Sequence, residues 1–88
     1  MDINKHIYYL NILKICLAIE RKNDLLNSLN LQNFSSDKEL LDLYVDCVSD
    51  VFCKYGLKED TEPNECGFIL EDVIDYLNNC IYKFEDNF

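Results

Sequence analysis

Residues 36–56, SDKELLDLYVDCVSDVFCKYG, decide how the rest of the chain is read. Leu41, Tyr44, Val48, Val51 and Tyr55 recur three and four residues apart, the spacing of one helix face. Asp42, Asp46 and Asp50 recur four apart on the opposite face. Both ends carry signals. Ser36 and Glu39 form the capping-box pattern S-x-x-E, in which the serine accepts from the amide of Glu39 and the glutamate returns the bond. Gly56 is expected to stop the helix in the left-handed conformation, with Lys54 in the last turn beside the negative end of the dipole. The stretch is therefore one helix with an apolar front and an acidic back.

A helix with one apolar face needs partners, and the flanking sequence supplies helical ones. From Ile3 to Lys22 two apolar stripes are expected, Ile3-Leu10-Leu13-Leu17 and Tyr8-Ile12-Ile15-Ile19, with a narrow polar sector between them. Such a helix is usually buried among others, so it is expected at the centre; otherwise one stripe is a seam for a second copy or a partner. Asn23-Asp24 breaks the pattern. Asp24 is expected to cap a short helix, DLLNSLNL at 24–31, with Leu25, Leu26 and Leu29 facing inward. Phe34 is expected to tuck against the bundle. The polar stretch 57–65, LKEDTEPNE, is expected as a connection, with Thr61 or Glu62 as the next cap and Pro63 in the first turn. A last helix follows, on which Leu70, Val73, Leu77, Cys80 and Phe84, with Ile69 and Ile81, face the core. At 3.6 residues per turn, Phe68 and Tyr82 project with Asp75 instead.

Length and composition agree. The chain has 88 residues, of which two are glycine and one proline, too few turn formers for a sheet-rich fold. The expected architecture is all-α in one domain, residues 1–88. It is a small antiparallel bundle of three long helices (about 3–22, 36–55 and 64–84) plus one short helix (about 24–31).

Charge and chemistry narrow the function. The formal charge is −9. Residues 1–36 hold three acids and four bases, whereas residues 37–88 hold 14 acids and four bases. A surface this acidic repels nucleic acid and attracts basic proteins. There are five cysteines, Cys16, Cys47, Cys53, Cys66 and Cys80, an odd number with no C-x-x-C spacing. Cys16, Cys66 and Cys80 fall on apolar faces, where cysteine acts as a small hydrophobe. A reduced, cytoplasmic protein is the simplest expectation. The apolar run at 7–19 is broken by Asn11 and Lys14 and is too short to span a bilayer.

No residue set names a reaction. His6 is the only histidine. There is no G-x-S-x-G turn, no glycine-rich phosphate loop, no zinc-ligand spacing and no EF-hand loop at 57–65. No catalytic, cofactor-binding or metal-binding residue is therefore assigned, and the protein is not expected to be an enzyme. The candidate site is a partner-binding surface made of Asp42, Asp46, Asp50, Glu59, Asp60, Glu62, Glu65, Phe68, Glu71, Asp72, Asp75 and Tyr82. Acids around a few exposed aromatic or aliphatic anchors, here Phe68, Tyr82 and Leu43, suit an interface to a basic protein.

Two segments resemble a known group. SSDKELLDLYVDCVSDVF at 35–52 looks similar to the acid-bearing second helix of the immunity proteins that neutralise colicin-type DNases. There, as with Asp42, Asp46 and Asp50 here, the acids face the toxin. PNECGFILEDVIDYL at 63–77 is loosely similar to the start of their last helix. Their short third helix, with an Asp-x-x-Tyr-Tyr-Pro signature, has no counterpart between Gly56 and Pro63, and the leucine-rich segment 24–31 is additional here. Another immunity group, such as those guarding against contact-dependent-inhibition toxins, which are diverse in fold, is an equal alternative. The resemblance implies a non-catalytic inhibitor of a basic toxin domain, expected to be a nuclease, as a monomer or homodimer. A homodimeric helical adaptor and a phage-type nucleic-acid mimic are the alternatives.

Overall fold

The computed structural model describes residues 3–29 and 37–85. Ser36 and Phe34, and the side chains of Ile3 and Phe84, lie outside the described residues. Four helices follow in order: α1 (Ile3–Ile19), α2 (Asn23–Ser28), α3 (Lys38–Tyr55) and α4 (Glu65–Glu85). The fold is all-α; an isolated bridge between Leu57 and Pro63 is the only β pairing among the described residues.

α3 packs most extensively on α4, and α1 lies against α2, α3 and α4. Leu10, Leu13, Cys16 and Leu17 of α1 meet Leu41, Tyr44, Cys47, Val48 and Val51 of α3 and Leu70, Val73, Leu77, Cys80 and Ile81 of α4 in one cluster. Tyr9 and Leu29 complete it, with Leu25 and Leu26 of α2 half-buried at its edge. No charged side chain is buried among the described residues.

The helix ends differ from the capping signals in the sequence. The N-cap of α3 is Asp37, whose carboxylate accepts from the amides of Glu39 (2.9 Å) and Leu40 (3.3 Å). An ionised cap also complements the positive end of the helix dipole. α1 ends at Ile19 rather than Lys22. Arg21 takes the left-handed conformation (φ 57°), the amide of Lys22 reaches back to Leu17 O at 2.9 Å, and that six-residue loop closes the helix without a glycine. Lys22, not Asp24, then occupies the cap position of α2, and Asp24 sits in its first turn.

Gly56 is not left-handed. Its φ is −96° and its ψ 0°, so it is there for space and not for backbone freedom. A Cβ on Gly56 would lie 3.0 Å from Gly67 Cα, and one on Gly67 would lie 2.1 Å from Gly56 O. The two glycines let the end of α3 and the first turn of α4 touch backbone to backbone.

Between them the 57–64 connection is tightly bonded. The amide of Lys58 donates to Glu62 O (2.8 Å), and that of Asn64 donates to Gly56 O (2.9 Å). Asn64 is the true cap of α4. Its Oδ1 accepts from the Gly67 amide (2.8 Å) while its Nδ2 donates to Tyr55 O (3.0 Å). Neither Thr61 nor Glu62 caps, and Pro63 precedes the helix. Thr61 bears the positive φ of the turn, 67°.

The largest correction concerns α1. It is not central. Leu13 and Leu17 are fully buried, but Tyr8, Ile15 and Ile19 are exposed, and Ile12 is half-buried. Leu10, Leu13 and Leu17 of the first stripe face the core, and of the second stripe only Ile12 packs against it. Three smaller corrections follow. Tyr55 and Ile69 are exposed, and Cys66 is exposed while Cys47 is buried. Tyr55 is the last residue of α3, where its stripe runs past its neighbours. Ile69 lies in the first turns of α4, short of the segment Asp72–Lys83 that borders α1.

The buried thiols have a measurable consequence. Burial, with smaller contributions from neighbouring thiols and Glu20, pushes Cys16 up to about 12; burial likewise takes Cys47 to about 11. Both therefore stay protonated near neutrality. A thiol reagent at pH 7.5 is expected to modify Cys53 and Cys66 promptly and the other three only on unfolding. Above about pH 9 the unfolded chain ionises Cys16 and Cys47 while the folded one cannot, so stability falls as pH rises toward 11–12. Thermal melts should show a Tm lower by roughly 15 °C or more at pH 10.5 than at pH 8.

Candidate functional site: an acidic outer surface

The polar back of α3 is built by its own periodicity. With Leu41, Tyr44, Val48 and Val51 turned inward, Asp42, Asp46 and Asp50 must turn out, and all three are exposed. Leu43 is exposed beside them, and so is Cys53. None of the three aspartates is held in an ion pair or hydrogen bond among the described residues. The lysine of the last turn does not neutralise the row. Lys54 Nζ lies 3.0 Å from both carboxylate oxygens of Glu20, beyond the end of α1. That hydrogen bond and the charge behind it raise the Lys54 pKa, holding the ammonium on Glu20.

Glu59, Asp60 and Glu62 are exposed in the connection, and Glu65 is exposed at the start of α4. Asp60 has a structural duty as well: its carboxylate accepts from the amide of Glu62 at 3.1 Å. On α4, Phe68 and Tyr82 are 59% and 60% exposed, with Glu71, Asp72 and Asp75 also exposed. Tyr55 and Tyr8 are exposed to a similar degree, at 57% and 49%.

The twelve candidate residues do not form one plane. α3 and α4 turn their apolar faces to the same core, so their backs diverge. Asp42, Asp46 and Asp50 occupy one flank; Phe68, Asp75 and Tyr82 occupy another; Glu59, Glu62 and Glu65 lie at the end where the two helices are joined. Asp72 and Asp75 differ from the α3 row in their surroundings. They line a groove of about 500 Å³ between α1 and α4, with Lys5, Tyr9, Tyr76, Asn79 and Lys83. Two lysines there stand beside two aspartates, whereas Lys54, the lysine nearest the end of the α3 row, is bonded to Glu20 and feels Asp50 only at longer range.

Sequence reading did not find that groove, because it depends on how α1 lies against α4. Its floor is a stack of Tyr9 on Tyr76, with ring centroids 4.5 Å apart, and Lys5 Nζ sits 5.8 Å from the Tyr9 ring. The Tyr76 hydroxyl is hydrogen-bonded to His6 Nδ1, and the rings meet edge to face. Cys80 lies next to Tyr76, but burial raises its pKa, so it is a poor nucleophile. His6 thus serves the α1–α4 packing. No group of three or more His, Cys, Asp or Glu side chains is placed to hold a metal among the described residues. No helix among them is long and apolar enough to cross a membrane.

Fold and surface define a small all-α protein whose exposed chemistry is acid and aromatic. No family model, curated protein or solved structure matches the chain.

Proposed function

We propose that the protein is a non-catalytic inhibitor that binds a basic protein, in the manner of an immunity protein neutralising its cognate toxin domain. The observation that carries this is the row Asp42, Asp46 and Asp50: three exposed carboxylates on one rigid helix, with the nearby Lys54 held by Glu20. A helix fixes the row at about 6 Å per step, so a partner's arginines and lysines meet charge already in place. Leu43 beside the row offers apolar contact, and Phe68 and Tyr82 offer more on the neighbouring flank. The acids steer the encounter and reject acidic competitors, while the apolar anchors slow dissociation. A toxin that cuts nucleic acid fits this partner chemistry best, since its cleft must be basic to hold phosphates. Five unpaired thiols suit the reducing cytoplasm, where such a toxin would act.

The test asks whether a reading frame beside this chain encodes a basic domain and uses that domain as the probe. Its association rate with the protein should fall about tenfold between low and physiological salt. An Asp46→Lys/Asp50→Lys variant should bind roughly 100-fold more weakly and fail to protect cells expressing the toxin, at an unchanged Tm, because both residues are exposed. Wild-type binding and protection by that variant would overturn the acidic-face mechanism.

A further inference from the structure

We infer that the outer face of α1 is a seam at which two copies of this chain associate, on a surface separate from the acidic one. Tyr8, Ile12, Ile15 and Ile19 are spaced four, three and four apart, the repeat that keeps one side of a helix against a second helix. Ile15 is 59% exposed, Tyr8 49% and Ile19 43%, although Leu13 and Leu17 on the other side of the same helix are sealed. The stripe is bordered on its outer side by Asn4, Asn11 and Ala18, uncharged side chains that let a helix approach closely. A core helix with one partnered and one unpartnered apolar side exposes more than solubility favours.

Charge identifies the occupant. The molecule is −9 overall, yet α1 contains no acid, and of its two lysines Lys5 lines the groove beside α4 while Lys14 lies off the stripe, about 100° or more around the helix. Copies joined through α3 or α4 would set carboxylates against carboxylates. Joined through α1 they place their acidic halves on the outside, where repulsion is weakest. A basic partner has no carboxylate to seek on this face, since Glu20, just past the helix, is only 11% exposed at its side chain and is bound to Lys54. An anionic membrane would repel the remainder of the molecule.

The seam is self-complementary when the two α1 helices run antiparallel. Tyr8 then meets Ile19 of the second copy, and Ile12 meets Ile15, so each pair occurs twice about the two-fold axis. Antiparallel helices also set opposite dipole ends side by side. Each copy contributes on the order of 400 Å² of apolar surface, somewhat less than a stable specific interface buries, so the dimer is expected to be weak and concentration-dependent.

Sedimentation equilibrium of the full chain tests this. Wild type should shift from monomer to dimer as its concentration rises toward the order of 1 mM. Ile15→Glu should stay monomeric with an unchanged circular-dichroism melt at low concentration, while Asp46→Lys should still dimerise. Tyr8→Glu and Ile19→Lys should each dimerise at least tenfold more weakly alone and recover when mixed, because the new charges face each other across the seam. A wild type that remains monomeric throughout, or an Ile15→Glu dimer, would overturn the proposal. Failure of the mixture to recover would overturn the antiparallel pairing.

Discussion

Gly67→Ala is expected to cost about 3 kcal/mol or more, a large share of the stability of a domain this size, and to leave much of the protein unfolded at 37 °C. The cause is a backbone collision. The added methyl would stand 2.1 Å from Gly56 O, and neither partner is a flexible side chain that can swing aside. To make room, the start of α4 must lift from the end of α3. That movement loosens Asn64, which ties both helix ends together through Tyr55 O and the Gly67 amide. Gly56→Ala should cost less, about 1–2 kcal/mol, because its closest approaches, 2.8 Å to Phe52 O and 3.0 Å to Gly67 Cα, are less severe than 2.1 Å. Urea unfolding of the two variants measures the order; equal costs would show that the close approach is not what selects glycine.

A pair of truncations on α1 should differ as sharply. Leu17→Ala empties a site that is 0% exposed and is expected to cost about 3 kcal/mol, from lost burial and the cavity left behind. Ile15→Ala, two residues away, removes a side chain that is 59% exposed and should change the stability of the monomer by less than about 0.5 kcal/mol. Denaturant titration at low protein concentration separates the two. A large loss at Ile15 under those conditions would mean that the outer stripe is covered within the monomer.

The contrast between those residues also marks what local sequence conveys. The body of α3 was legible because its signals are local: an acid-rich first turn, a three-four apolar stripe and an acid row fixed by the helix pitch. The exposure of Phe68 and Tyr82 followed from the same wheel geometry. α1 was misjudged because both of its stripes have equal apolar character. Which of them is buried depends on where α3 and α4 lie, and that is a long-range fact. Gly56 was misjudged because glycine has two uses, a left-handed φ and a missing Cβ, and only the position of Gly67 distinguishes them. Asn64 was passed over for the neighbouring threonine and glutamate, although asparagine is among the best capping residues. The candidate surface was legible as a composition but not as a shape. Nothing near Asp72 or Asp75 in the chain announces that Lys5 and Lys83 share their groove.

The divergence of the α3 and α4 backs has a consequence for the form of any partner. The α3 acids stand on the convex back of a helix turned away from the α4 flank, where Asp72 and Asp75 line the groove beside α1. A flat partner would touch one flank and leave the other in solvent. A partner that engages both flanks must be concave and basic on its inner walls. That is also the form required to grip a strand of phosphates, so on the proposed reading the protein works as a plug, occupying by its convexity the space that the substrate would otherwise fill.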